Sequence, residues 1–261
     1  FTGVPAGSYN ITVTDKNGCT AVAPVTVTEP DAVVITASVT SDYNGSDVSC
    51  NGSSDGEITA IGSNGTGVLS YTIVQLQGNM TGDASGIFTG VPAGTYTVRV
   101  TDVNGCTTVS PDVIVSNPDV IIISGSVTSD YNGSQVSCNG ASDGEITASA
   151  TGGTGTVTYV LDQDPGNVTG ASTGVFTGLI AGTYTVTATD ENGCTKTTAN
   201  ITISNPAAIT ASALITSNYN GSHVSCNGAS NGEISVRASG GTGSLSYLLV
   251  EIPGNVSGAS T

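Results

Sequence analysis

Apolar and polar residues alternate along much of the chain. In residues 95–101 Tyr, Val and Val occupy every second position, and Thr or Arg stands between them. Such alternation predicts a strand with one face in a core. Asn-Gly pairs at 44–45, 51–52, 64–65 and 104–105 mark turns. In one stretch the predicted strands cover 33–40, 57–61, 69–74, 87–89, 95–101 and 109–115.

The pattern repeats along the chain. FTGVPAGSY at 1–9 returns in similar form at 88–96 and 176–184, and CNGSSDGEI at 50–58 returns at 138–146 and 226–234. The period is about 88 residues. Pro30, Pro118 and Pro206 mark boundaries, because proline cannot donate to a sheet. The predicted domains are 1–29 (the end of one repeat), 30–117, 118–205 and 206–261 (the start of another). Phe1 lies inside a motif, so we expect an excerpt of a longer polypeptide.

Short strands and frequent turns in a unit of this size predict an all-β fold of tandem immunoglobulin-like Greek-key sandwiches forming an extended rod. A tyrosine that opens a late strand just after glycine is typical of a tyrosine corner, in which its hydroxyl bonds to the backbone upstream. The alternative is a plain core aromatic. The residues at this position are Tyr9, Tyr96 and Tyr184.

Two motifs recur in each unit: S-C-N-G-x-S-D/N-G-E-I early and A-G-T-Y-T-V-x-x-T-D-x-N-G-C late, with small variations. Together they resemble the SprB repeat of Bacteroidota gliding and adhesion proteins, over essentially the whole chain. The resemblance implies a large protein exported by the type IX secretion system, displayed on the cell surface, and used for adhesion and often for gliding motility. It also implies further copies of the repeat in the same chain.

The net charge is −16, and only four residues are Lys or Arg. Nucleic-acid phosphates need clustered basic side chains, so no nucleic-acid partner is expected. No apolar run is long enough to span a bilayer, and we expect no direct membrane insertion.

Catalysis needs a base or nucleophile with a partner held nearby. His223 is the only histidine, and the same repeat position holds Asp47 and Gln135. GGTG at 152–155 and 240–243 lacks the lysine and helix of a phosphate loop. We therefore expect no enzyme activity and no cofactor.

Calcium is the one metal that the composition suggests, because Ca²⁺ takes oxygen ligands from short acidic loops. Against it, the last repeat replaces two of the candidate aspartates by Asn218 and Asn231. An Asx turn would explain several of the others equally well. The candidate ligands are Asp42, Asn44, Asp47, Asp55, Asp102, Asp130, Asp143 and Asp190.

Two cysteines fall in each period, and secretion favours disulfides. The favoured pairing is within a repeat, Cys50 with Cys106 and Cys138 with Cys194. It requires the chain to double back at 43–46. If residues 33–49 ran straight, Cys50 would lie at the far end of the sandwich and could meet Cys194 across the joint. Free thiols are the third possibility.

The leading functional hypothesis is a stalk or filament segment of a secreted adhesin. An array of carbohydrate-binding modules is the alternative, and a purely structural surface-layer or filament protein is another. A carbohydrate module needs exposed aromatics, and the chain has no Trp. A contact surface for polysaccharide or another extracellular ligand is predicted at Tyr43, Tyr131 and Tyr219.

Overall fold

The computed structural model describes residues 1–76, 78 and 81–250 and divides into two compact units, Phe1–Pro118 and Asp119–Thr261. Each unit contains one complete repeat and part of another. Every regular element in the described residues is a β-strand. The all-β prediction is confirmed, and the complete repeats are β-sandwiches. The predicted rod stays a prediction.

The described residues of the first unit form ten strands. They are β1 (Gly7–Thr14), β2 (Thr20–Val27), β3 (Val34–Val39), β4 (Gly56–Ser63), β5 (Ser70–Ile73), β6 (Ile87–Val91), β7 (Gly94–Tyr96), β8 (Val98–Thr101), β9 (Thr107–Val109) and β10 (Val113–Val115). The first two form an antiparallel hairpin. The others form the complete repeat, in sheets ordered β3-β4-β6, β5-β8-β9 and β7-β10.

The second unit repeats this plan. Its strands are β11 (Ile122–Val127), β12 (Gly144–Thr151), β13 (Thr158–Leu161), β14 (Val175–Leu179), β15 (Gly182–Tyr184), β16 (Val186–Thr189), β17 (Thr195–Thr197), β18 (Ile201–Ile203), β19 (Thr210–Ile215) and β20 (Ile234–Ser239). The sheets are β11-β12-β14, β13-β16-β17 and β15-β18, and β19 pairs with β20.

The core of each complete repeat follows the alternation in the sequence. In β4 the side chains of Ile58 and Ala60 are buried, and the alternating residues Glu57 and Thr59 are half-buried. Phe88 on β6 is fully buried, as is Phe176 at the same position of the second repeat. Burial of these apolar side chains is the main force that holds the sheets together.

The strand predicted at 95–101 is interrupted at Thr97. Tyr96, Val98 and Val100 are buried, as the alternation predicts. However, β7 pairs with β10, whereas β8 pairs with β5 and β9, so the chain changes sheets at Thr97. The side chain of Gln75 replaces the missing partner, because its Oε1 accepts the Thr97 amide at 2.8 Å. The predicted strand at 109–115 is likewise split, into the end of β9 and β10.

Candidate functional site

Each of the three tyrosines predicted at corners makes the same kind of hydrogen bond, from its hydroxyl to a backbone carbonyl four residues earlier. The hydroxyl of Tyr96 donates to the carbonyl of Pro92 at 2.8 Å, and Tyr9 donates to Pro5 at 2.8 Å. Tyr184 donates to Ile180 at 2.9 Å. These are the bonds that a tyrosine corner requires. Burial raises the pKa of Tyr96 above its ordinary value. The hydrogen bond between the Tyr96 hydroxyl and the Pro92 carbonyl therefore fixes the turn that precedes β7.

Asp102 is a buried carboxylate that organises the turn after β8. Its Oδ1 accepts the amides of Asn104 at 3.0 Å and Cys106 at 2.8 Å, and its Oδ2 accepts the amide of Thr66 at 2.9 Å. Backbone hydrogen bonds, led by the one from Thr66, lower the pKa of Asp102 because they stabilise the charged form. Asp190 makes the same three bonds in the second repeat.

The other predicted calcium ligands also bind backbone groups. Asp42 accepts the Gly45 amide at 2.7 Å, and Asp130 accepts the Gly133 amide at 2.7 Å. Asp55 accepts the Ser49 amide at 3.1 Å. Asp143 accepts the Ser137 amide at 3.0 Å, and hydrogen bonds from Ser137 lower its pKa. In the described part of the chain, no three His, Cys, Asp or Glu residues come together in a way that could hold a metal. Calcium binding stays a prediction.

In the last repeat, asparagines at two of these positions keep the hydrogen bonds but carry no charge. Asn218 replaces the aspartate of Asp42, and its Oδ1 still accepts the Gly221 amide at 2.9 Å. Asn231 replaces the aspartate of Asp55, and its Oδ1 still accepts the Ser225 amide at 3.1 Å. The loop therefore needs an acceptor oxygen at these two positions, and an uncharged amide provides it.

The predicted contact tyrosines open a tight hairpin turn. Tyr43 and Ser46 exchange backbone hydrogen bonds of 2.7 and 3.1 Å. Asn44 and Gly45 between them have φ of 52° and 91°, which explains the Asn-Gly sequence. The Tyr43 hydroxyl donates to the Asp55 carbonyl at 3.1 Å. Tyr43 and Tyr131 are half-buried, and Tyr219 is exposed.

A shallow groove lies beside this turn in both complete repeats. Its volume is about 570 Å³ in the first repeat and about 550 Å³ in the second. We call it the tyrosine groove. In the first repeat it is lined by Thr40, Ser41, Asp42, Tyr43, Ser54, Asp55, Glu57, Thr89 and Gly90. The lining offers one aromatic ring, three carboxylates and several hydroxyls, which are groups that can bind the hydroxyls of a sugar.

The SprB repeat family model matches the chain at three places, 43–78, 131–166 and 219–250. Each match begins at the tyrosine of the hairpin turn, and the first two continue through β5 and β13 respectively. The chain carries SprB repeats. No curated protein matches this chain.

Solved structures similar to these SprB repeats include several multidomain β-proteins. A C-terminal intimin fragment bound to its receptor's intimin-binding domain is 17% identical, with 70% of this chain and 67% of that chain covered and a TM-score of 0.28. A tetra-tandem repeat from the extending region of a large adhesion protein is 17% identical, with 92% and 71% covered and a TM-score of 0.20. The SGBP-B protein of Bacteroides ovatus, in complex with a mixed-linkage heptasaccharide, is 17% identical, with 78% and 55% covered and a TM-score of 0.20.

The favoured cysteine pairing within SprB repeats is wrong. Cys50 and Cys194 are disulfide-bonded, whereas Cys106 and Cys138 are free and exposed. The loop that carries Cys50 is tied to Asp55, just before β4, and the turn that carries Cys106 is tied to Thr66, just after β4. The eight residues of β4 span roughly 25 Å, and a disulfide needs Cα atoms within about 7 Å. The chain does turn at 43–46, but this turn does not carry Cys50 to the other end.

Sequence reasoning missed the contacts that hold the cysteine loop against the end of its own SprB repeat. Asn51 Nδ2 donates to the Pro118 carbonyl at 2.9 Å, and the Gly52 amide donates to Asn117 Oδ1 at 3.0 Å. Asp47 Oδ2 accepts both the amide and the hydroxyl of Ser116, at 2.8 and 2.6 Å. The signal was present in the motifs, because Asn-Gly recurs after each early cysteine and Asn-Pro ends two of the repeats.

The described residues contain no helical segment with the length and apolar character of a membrane span.

Proposed function

We propose that the chain is a stalk segment of a large adhesin that is displayed on the cell surface. The observation that carries the proposal is the presence of three SprB repeats at a regular period in one chain. The chemistry of the repeats supports it, since the buried carboxylates hold turns together and the recurring tyrosines fix corners. Export by the type IX system and a part in gliding belong to the same proposal.

Antibody labelling of intact cells tests the display. Antibodies raised against the 1–261 chain are expected to label cells before permeabilisation, and brief protease treatment of whole cells is expected to remove the signal. Labelling that appears only after permeabilisation would contradict surface display. An antibody against a cytoplasmic protein provides the control for intact envelopes.

A stalk also has to be long. The longest strands of the complete repeats have eight residues and span roughly 25 Å, so with its loops each repeat should add about 30–40 Å. We expect small-angle scattering of the chain to give the cross-section of a single sandwich and a maximum dimension of several repeat lengths. A maximum dimension near that of a sphere of equal mass would reject the extended arrangement.

The tyrosine groove favours a second candidate function, binding of extracellular polysaccharide. The groove recurs in both complete repeats with the same kinds of side chain. Weak binding at each groove would therefore combine into a higher avidity for the whole chain. The test is a glycan array probed with the whole chain, beside a triple variant with Tyr43, Tyr131 and Tyr219 changed to Ala. Matched changes to Phe keep the ring and remove the hydroxyl. Binding that is lost with Ala and retained with Phe supports the groove, and binding unaffected by Ala rules it out.

A further inference from the structure

In the two complete SprB repeats, the loop that carries the early cysteine is bonded to the segment that leads into the next repeat. In the second unit, Asn139 Nδ2 donates to the Pro206 carbonyl at 2.9 Å, and the Gly140 amide donates to Asn205 Oδ1 at 3.1 Å. These bonds hold the loop 137–140 against the segment that enters the next repeat. Cys138, in the middle of this loop, is exposed.

The glycine-rich loop 240–243 of the next repeat meets this same loop. The Thr242 hydroxyl donates to the Ser137 carbonyl at 3.3 Å. A Cβ atom on Gly243 would lie 3.4 Å from Asn132 Nδ2. Both contacts lie within the second unit, and one of them involves the residue beside Cys138. The recurring GGTG sequence at 240–243 therefore lies at the joint between two repeats.

In the complete repeat, the corresponding glycine loop is bonded to the turn that carries the late cysteine. The Thr154 amide donates to Asp190 Oδ2 at 2.9 Å, and the Glu191 amide donates to the Thr154 carbonyl at 3.1 Å. The Cys194 amide donates to Asp190 Oδ1 at 2.8 Å. In a complete repeat, the glycine loop therefore lies beside the turn that carries the late cysteine.

We propose that Cys138 is one half of a disulfide whose other half is the late cysteine of the following repeat, and that this bond recurs at the joints of the array. Residues 206–250 carry an early cysteine but no late one, so Cys138 has no such partner among the described residues. By the same rule, Cys19 and Cys106 would each pair with the early cysteine of a preceding repeat, and Cys226 with the late cysteine of a following one. No such partner lies among the described residues, and all three thiols are free. Cysteines of both types are found in disulfides, since Cys50 is an early cysteine and Cys194 is a late one.

The bond forms by thiol–disulfide exchange with an external disulfide such as oxidised glutathione. One thiolate attacks the oxidant and releases a reduced glutathione, and the second thiolate displaces the other. Two protein thiols are oxidised, one glutathione disulfide is reduced to two thiols, and the protons pass to them.

The experiment completes the third repeat with the chain's own sequence. A copy of residues 174–205 is fused after Thr261, which continues the repeat in register and supplies a late cysteine. After folding with reduced and oxidised glutathione, free thiols are alkylated and the chain is mapped without reduction. We expect a peptide that joins Cys138 to the cysteine of the appended copy, with Cys226 alkylated as the internal control. Alkylated Cys138 in the folded, extended chain would overturn the proposal.

A second variant keeps the test independent of whether the appended segment folds. Thr242→Cys in the 1–261 chain places a thiol at the residue that already bonds to Ser137. We expect a bond from Cys138 to this thiol and none in the matched Thr154→Cys variant. If Cys138 stays reactive in the Thr242→Cys chain, the two loops are not adjacent in solution and the proposal fails.

Discussion

The two complete repeats place different side chains in the same core positions. In the first repeat, Ala37 on β3 faces the core together with Val113. In the second, the corresponding pair is Gly125 and Ile201, and a Cβ on Gly125 would lie 2.7 Å from Ile201 Cδ1. One methylene group has moved from one residue to its neighbour. The core therefore preserves the summed volume of this pair of side chains, although each single position changes.

A second exchange follows the same rule. Gly62 of the first repeat lies under Leu69, and a Cβ there would be 2.9 Å from Leu69 Cδ1. At the corresponding positions the second repeat has Ala150 and the smaller Val157. The largest buried side chains show no such exchange, because Phe88 and Phe176 are identical and both fully buried.

The largest expected effect is at this invariant aromatic. Phe176→Ala should destabilise the second complete repeat by about 3–5 kcal/mol, because it removes the side chain and leaves a cavity. Phe88→Ala should do the same in the first. Hydrogen exchange measured by mass spectrometry on the whole chain reads the two repeats separately. Ile122→Ala, at an exposed position on β11, is the control and should change stability by less than about 0.5 kcal/mol.

The next effect breaks the volume rule at one position. Gly125→Ala should cost about 1–3 kcal/mol through overpacking against Ile201. Adding Ile201→Val recreates the pair of the first repeat and should recover most of the loss. A double-mutant cycle in chemical denaturation with exchange readout measures the coupling. Additive effects of the two changes would mean that the paired volumes are unrelated.

Removal of the corner hydroxyl should have a smaller effect. Tyr96→Phe breaks the 2.8 Å bond to Pro92 and should destabilise the first repeat by about 1–2 kcal/mol. Tyr184→Phe should match it, because the second repeat has the same bond at 2.9 Å. Denaturant melts of the variants that coincide with that of the parent would remove the energetic role of the corner.

The smallest effect is a change in acid response. The lowered pKa of Asp102 means that its contribution to stability is complete above the unfolded value of about 3.9 and is lost as the pH falls through the folded value. Asp102→Asn should therefore flatten the fall in stability of the first repeat below about pH 4. Hydrogen exchange at several pH values measures the stability of the first repeat, and Asp112→Asn, at an exposed position, is the charge-matched control. If stability falls with pH equally steeply in Asp102→Asn and in the parent, the Asp102 carboxylate does not contribute to the acid response.

The sequence could predict the strands that use one repeated physical rule. Tyr96, Val98 and Val100 are inward because alternation places them there, and Asn44 and Gly45 form the turn because they tolerate positive φ. The change of sheets at Thr97 could not be predicted, because it depends on Gln75, a residue far away in the chain. The cysteine pairing failed for a similar reason. The loop 40–55 has no regular strand, and its position is set by long-range bonds such as that between Asp47 and Ser116.

The separation of Cys50 and Cys106 at opposite ends of β4 has a mechanical consequence. With joints bonded as proposed, a pulling force passes from a late cysteine to the next early one, for example from Cys194 to Cys226, and then leaves through the disulfide. That segment has about 32 residues and extends to roughly 110 Å at most, and one such segment serves every two repeats. The unbonded chain would release about 176 residues, or roughly 600 Å, over the same two repeats. An oxidised array of this kind would behave as a tether of limited stretch, and a reducing agent would convert it into a long, soft spring.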